Sequence, residues 1–325
     1  MTTRKKKTTL DYLPGDASFL DPLRVDANTP EKARVVVVPF GYEATVSYGG
    51  GTRKGPRAIM EASHQLELFD DEYWGEPYRK YGIAAVREPS IERKPEAALA
   101  QLENIVEAVL EAGKVPFVLG GEHSITAGAI RPVVRHNPKD LVVLHLDAHW
   151  DLRDGYLGNH FSHAAAMRRV LDQPGHENVT LVSLGIRGFS APEAEFYEKN
   201  RNRIHVAFGR DQPAWNLDEI LRPLAGRPVY ITFDIDALDA TVMPATGTPT
   251  PFGMSYRMAL DILRRGCALA GRIVGMDLVE LAPIKRFHAY DFMAAQIAAK
   301  MMNYAFAGPP KHPAAIGTAR KSPKG

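Results

Sequence analysis

Short runs of apolar, largely β-branched residues recur along this chain with almost no polar alternation. They are Val35–Phe40, Val115–Leu119, Leu141–Leu146, Val179–Leu184, Val229–Phe233 and Ile273–Leu278. A strand with one wet face alternates polar and apolar residues, whereas a run that is apolar throughout has to be covered on both faces. Helical patterns lie between the runs. Glu96–Ala112 places Leu99, Leu102, Val106 and Val109 on one stripe, and Gly113 follows as a C′ stop. Pro56 suits the first position of a helix running through Ile59 and Met60. Met254–Ala270 and Asp291–Ala305 also read as helices. This alternation predicts an α/β fold of three α/β/α layers around a mainly parallel central sheet.

No internal repeat or Pro/Gly-rich linker interrupts the middle of the 325 residues, a length that suits one large α/β domain. We therefore expect an N-terminal extension over 1–30, one domain over 31–307, and a Pro-, Lys-, Ala- and Gly-rich tail over 308–325 that stays disordered. The basic run from Arg4 to Lys7 reads as a solvated tail; no apolar stretch follows it, so it does not read as a secretory signal. No run of apolar residues is long enough to predict a membrane-spanning helix. A formal net charge of +2 provides no field for nucleic acid. The single cysteine, Cys267, allows no internal disulfide, fits a cytoplasmic location and reads as a small buried core residue.

Ligands of open α/β sheets bind outside the carboxyl ends of the strands, so the residues that follow each run carry the functional information. The third run leads into His145-Leu146-Asp147-Ala148-His149-Trp150-Asp151. In extended chain, Asp147, His149 and Asp151 would point the same way. The fifth leads into Phe233-Asp234-Ile235-Asp236, where the same spacing aims Asp234 and Asp236 together. The second ends in Gly120-Gly121-Glu122-His123, whose glycines permit a tight turn that brings His123 to the same edge. Taken singly, Asp-x-Asp is usually a cap and Gly-Gly-x-His usually a turn. Together, each placed after a strand, they form a cluster of carboxylates and imidazoles that would repel itself unless positive charge sat among them. Two divalent cations would balance four carboxylates. Asp/His ligands without thiolate suit Mn²⁺ better than a structural zinc site, although they also accept Ni²⁺ or Co²⁺. Such a two-metal site can supply hydroxide at neutral pH.

The motifs GGEHS (120–124), LDAHWD (146–151) and FDIDALD (233–239) resemble the signatures of the ureohydrolase (arginase/agmatinase) family in order and spacing. GTRKGPRAIMEAS (51–63), PATGTPTPFGMS (244–255) and MDLVELAP (276–283) extend the likeness, which is greatest toward agmatinases. The resemblance implies an arginase-like sheet of about eight strands. It implies His123 and His149 as terminal ligands, one per metal, Asp147 and Asp234 as bridges, and Asp151 and Asp236 as completing ligands. Glu280 would pair with the substrate guanidinium, a bidentate contact that orients a planar cation. His163 would be a proton shuttle, with His160 as a nearby competitor, and either His163 or Asp151 would protonate the leaving amine. The implied reaction releases urea from agmatine and leaves putrescine. The implied assembly is a homo-oligomer, trimer or hexamer.

Some positions depart from the family pattern. Ala240 stands where Pro is common, Ala164 where Gly is frequent, and Lys285-Arg286 where an acidic pair is common. The loop after Asp151, Leu152-Arg153-Asp154-Gly155-Tyr156, lacks the polar Asn/Thr/Ser character with which arginases hold an α-amino acid, which favours agmatine. Arg153 either grips a substrate carboxylate, favouring 4-guanidinobutyrate, arginine or N-formimidoyl-glutamate, or pairs with Asp154 or another acidic neighbour. Trp150 is expected to pack. A metal-binding regulatory subunit without turnover is the non-enzymatic alternative. The zinc deacetylases share the sheet architecture but use a paired-histidine motif that is absent here. GGGTRKGP (49–56) lacks the ending of a phosphate-binding loop.

Overall fold

The computed structural model describes residues 8–24 and 29–310. The basic run Arg4 to Lys7 and residues 311–325 of the tail lie outside the described residues. The elements are β1 (Val35–Phe40), α1 (Gly55–Ser63), β2 (Ile83–Ala85), α2 (Pro95–Glu111), β3 (Val115–Gly120), α3 (Thr126–His136), β4 (Val142–Leu146), α4 (Ala166–Leu171), β5 (Thr180–Ile186), α5 (Ala191–Lys199), β6 (Ile204–Phe208), α6 (Leu217–Ile220), β7 (Pro228–Asp234), α7 (Tyr256–Leu269), β8 (Arg272–Val279) and α8 (Ala289–Phe306). The strands form one eight-stranded sheet in the order β2-β1-β3-β8-β7-β4-β5-β6. Every pairing is parallel. One face packs on α1, α7 and α8 through Ile59, Ile262, Leu263, Ile297 and Met301. The other packs on α2, α3 and α4 through Leu102, Val106, Ile130, Val133 and Met167. None of the described helices is long and apolar enough to cross a membrane.

This strand order decides where a site can form. After β3 the chain crosses over to begin β4, and only later do β7 and β8 fill the gap. The carboxyl ends of β3, β8, β7 and β4 therefore stand side by side in the middle of the sheet, and a crevice opens where the winding direction changes.

The two strands not read from the sequence are the edges. β2 has only three residues. β6 reads Ile-His-Val-Ala-Phe and exposes His205, so it alternates where the central strands do not. Runs apolar throughout mark strands covered on both sides and leave edge strands unmarked. Helix starts also shift slightly. α1 begins at Gly55, which moves Pro56 one place inward, still within the turn where its missing N–H is not needed. α7 begins after Ser255, whose Oγ accepts the Met258 N–H at 3.2 Å. Gly113, at φ +72°, follows α2 as expected. Cys267 is a free thiol, partly rather than fully buried against the core, and burial pushes it up to about 12.

Gly121 joins the fold to the site. A Cβ there would stand 2.0 Å from the Tyr42 carbonyl oxygen, which itself accepts the Glu122 N–H at 2.8 Å. Only glycine lets the chain leaving β1 approach the turn leaving β3 so closely. Gly121→Ala is expected to lower unfolding stability by about 1–3 kcal/mol, as other forced overpacking does. Denaturant titration checks this, and a change within about 0.5 kcal/mol, typical of a surface substitution, would contradict it.

Candidate metal centre

Each candidate residue is delivered by the turn that ends a central strand. Asp147 is the first residue after β4, and its carboxylate accepts the His149 N–H at 2.5 Å. Asp234 ends β7, and its Oδ1 accepts the Asp236 N–H at 2.8 Å, closing a 3-10 turn over Ile235–Ala237. The expectation that alternate residues of an extended chain converge therefore needs correction. Asp234 and Asp236 meet because the backbone turns, and Asp151 is reached through a left-handed residue, its own φ being +52°. Glu280 lies just beyond β8 with φ +64°. Non-glycine residues rarely adopt this conformation, and where they do, functional sites are a common setting.

His123 faces the cluster with Nδ1, which lies 3.0 Å from Asp147 Oδ2, 3.1 Å from Asp151 Oδ2 and 3.3 Å from Asp234 Oδ2. That nitrogen is buried, yet it forms no hydrogen bond with any of them. His149 Nδ1 lies 3.0 Å from Asp236 Oδ2 and 3.6 Å from Asp147 Oδ1. Asp147 thus turns one oxygen toward each histidine. Donor atoms around an octahedral ion with bonds of about 2.1 Å stand about 3 Å apart, so atoms at these distances that point at a common centre fit a cation. The chemistry of the set fits as well: oxygens and imidazoles, no sulfur, as manganese-type ions prefer.

The electrostatics point the same way. Asp147, Asp151, Asp234 and Asp236 are all buried. Burial, then Asp236 and Asp147, hold the Asp234 carboxyl well above the usual range. Burial also raises Asp151, although His123 opposes it. Asp147 lies well below the ordinary value: burial works against its charge, but the neighbouring His123, His145 and His149 rings prevail. The histidines respond in kind. Burial disfavours their charge, yet the aspartates raise His123 well above its ordinary value and His149 to about 12. Without a metal, protons supply the positive charge that the cluster requires.

Above the cluster lies a cleft of about 280 Å³ whose lining includes His149, Asp151, Arg153, Tyr156, His163 and Glu280. Glu280 Oε1 accepts the His123 backbone N–H at 2.7 Å and stands 3.6 Å from His163 Nδ1. Burial disfavours the charged His163 ring, but Glu280 and then Asp151 and Glu122 outweigh it and raise the ring to about 9. His160 instead lies against Arg169 and the Asp154 carbonyl, away from the cleft. Arg153 Nε is 3.7 Å from Glu193, and its guanidinium sits 4.7 Å from the Tyr156 ring centroid. Asp154 pairs with Arg169 at 2.7 Å rather than with Arg153. Trp150 is buried against Phe189, Tyr197 and Phe208.

Several further residues, not singled out in the sequence, shape this site. Glu122 is fully buried and accepts from Ala44 N, Thr45 N, Thr45 Oγ1 and Ser124 Oγ at 2.6–2.7 Å. Thr45 Oγ1 in turn accepts the His163 N–H at 2.9 Å, so Glu122 ties the His163 loop to the end of β3. Glu193 caps α5 through Ser190 and accepts the Leu152 N–H at 3.1 Å. The Ser-x-x-Glu spacing at 190–193 was a legible capping signal for it.

A metal ion and the protons held by these histidines compete for the same atoms. In the metal-free protein, His149 and His163 have folded values above those of the unfolded chain. Their contribution to stability is complete below the unfolded value and declines as pH rises toward about 9 for His163. The gap in Tm between Mn²⁺-loaded and metal-stripped protein is therefore expected to widen between about pH 6 and about pH 8.5. Thermal melts at both values check this, and a gap that narrows would contradict it.

Residues 33–306 match the model of the arginase family. Over 303 residues the chain is 36% identical to an N(1)-aminopropylagmatine ureohydrolase from a Synechocystis species, an alignment covering 90% of this chain and 95% of the relative. It is 36% identical to the agmatinase of Bacillus cereus over 260 residues, 78% of this chain and 85% of that one. The crystal structure of the agmatine ureohydrolase of Thermoplasma volcanium superposes with a TM-score of 0.75 at 32% identity, covering 86% of this chain and 92% of that one. The family resemblance and the fold class read from the sequence both hold, and the sheet is wholly rather than mainly parallel. The chain belongs to the arginase family, as an agmatinase-like ureohydrolase that hydrolyses carbon–nitrogen bonds of amidines.

Proposed function

We propose that the chain hydrolyses agmatine to putrescine and urea with two Mn²⁺ ions bound between the strand ends. The observation that carries the choice of substrate is the state of Arg153. Among the described residues lining the cleft it is the one guanidinium, and it is already engaged by Glu193 and the Tyr156 ring. A substrate carboxylate would have to displace those contacts, whereas an amine tail makes no such demand on Arg153 and finds the Tyr156 and Phe189 rings on the same wall.

In this reading His123 and Asp151 would serve one ion and His149 and Asp236 the other, with Asp147 and Asp234 shared by both. Bound ions of this kind activate water at neutral pH and stabilise charge developing on the substrate. Glu280 pairs with the guanidinium and holds its carbon toward the cluster, its own position fixed by the His123 N–H. Water adds to that carbon, the bond to the alkylamine nitrogen breaks, and the amine takes a proton as it leaves. His163, 3.6 Å from Glu280, is placed to give that proton, with Asp151 as the other donor in reach of the cluster.

A second reading follows from the Synechocystis relative, named for an agmatine that carries an aminopropyl group. The added ammonium would fit the same acidic and aromatic wall.

Urea release by Mn²⁺-loaded protein, offered agmatine, N(1)-aminopropylagmatine, arginine and 4-guanidinobutyrate, separates these readings; formamide is assayed with N-formimidoyl-glutamate. Agmatine is expected to show the highest kcat/KM, and Glu280→Gln is expected to lower it about a hundredfold through lost alignment. A tenfold preference for the aminopropyl compound would replace the first reading with the second. Turnover only of carboxylate-bearing substrates would contradict both and make Arg153 their anchor. Silence on every substrate with metal content verified would favour a regulatory subunit.

A further inference from the structure

Two residues back along the central strands from the aspartate cluster, a polar row crosses the sheet. Ser183 on β5, His145 on β4, Thr232 on β7 and Asp277 on β8 are successive register partners. All are fully buried. Register partners in a parallel sheet project from the same face, so these side chains form one line among the valines, leucines and isoleucines of the core. Polar groups in such a place need partners and are destabilising without them.

The row touches the cluster at two points. His145 joins Ser183 Oγ through Nδ1 at 3.0 Å and Asp147 Oδ2 through Nε2 at 2.8 Å. Thr232 Oγ1 lies 2.9 Å from Nε2 of His123, the ring nitrogen that faces away from the aspartates. Beyond Thr232, Asp277 Oδ2 accepts hydroxyl protons from Thr126 at 2.9 Å and Tyr230 at 2.7 Å. Its Oδ1 is buried and forms no hydrogen bond in this geometry.

The direction of the hydrogen bonds along this line matters. For Nδ1 of His123 to offer a lone pair to a cation, the ring must carry its proton on Nε2. That N–H then donates to Thr232, and the Thr232 hydroxyl proton needs an acceptor of its own. Asp277, its register partner on the neighbouring strand, has an oxygen left to receive it. A carboxylate at 277 therefore orients the threonine hydroxyl, and the threonine selects the tautomer of the histidine.

We propose that Thr232 and Asp277 are positioning residues that hold His123 in the tautomer able to bind a divalent ion. The proposal rests on reading the aspartate cluster as a metal centre, but it is tested by affinity and needs no turnover.

Mn²⁺ is titrated into metal-stripped protein, and the free ion is followed by its paramagnetic resonance signal. Thr232→Val keeps the shape of the side chain and removes the hydroxyl; it is expected to weaken Mn²⁺ binding about 10–100-fold, the usual effect of losing such a partner. Asp277→Asn should weaken binding in the same direction. Thr232→Ser restores the hydroxyl and should return affinity to within about threefold of the parent. Equal affinity in the parent and a folded Thr232→Val protein would overturn the proposal. So would equal losses in Val and Ser, which would point to packing rather than to the hydroxyl. A parent that binds no Mn²⁺ overturns both this proposal and the metal reading. If the parent binds Mn²⁺ but releases no urea, only the proposed function fails, and the affinity comparison still decides this one.

Discussion

Mutual repulsion among Asp147, Asp151, Asp234 and Asp236 organises this molecule. Buried carboxylates this close cannot all stay charged without a counter-charge, because little solvent is left to separate them. The fold concentrates them all the same. Its winding sets β3, β8, β7 and β4 side by side, and the turns that end those strands aim their side chains at one point. His123 stands among three of the carboxylates without hydrogen-bonding to any, an arrangement that is hard to account for until a cation is placed between them. The raised histidines and the raised aspartates express the same deficit of positive charge.

The layers around that point have separable tasks. Beneath it, the row from Ser183 to Asp277 brings polar groups into an otherwise apolar interior, where they orient imidazoles. Above it, Glu280, His163 and Arg153 line the cleft that opens onto the cluster. Glu122 links two of these layers, since it sits next to His123 in the chain and holds, through Thr45, the loop that carries His163. A substitution at Glu122 would therefore disturb both the shape of the cleft and the end of β3.

What could be read from the sequence follows from what burial does to residue patterns. The central strands were legible because both of their faces are covered, which leaves runs such as Val35–Val38 with no polar alternation. The same burial made Asp147, Asp234 and His123 conspicuous, as charges and imidazoles directly after apolar strands. β2 and β6 escaped notice because edge strands are short or partly wet. The convergence of Asp234 with Asp236 was expected for the wrong geometric reason. A 3-10 turn and a left-handed Asp151 leave no trace in residue spacing. His145, Thr232 and Asp277 were invisible as a group, since their relation is register across strands far apart in the chain. Arg153 stayed ambiguous because its partner, Glu193, comes from α5 rather than from the adjacent Asp154.

The central claim is that two divalent ions satisfy the aspartate cluster. Anomalous diffraction at the manganese edge from crystals grown with Mn²⁺ tests it most directly. The account predicts two peaks about 3.5–4 Å apart, the usual separation in paired-metal sites, one beside His123 and one beside His149, with Asp147 between them. A single peak, or none in crystals grown with saturating Mn²⁺, would contradict it, and protons would then have to supply the rest of the positive charge that the buried carboxylates require.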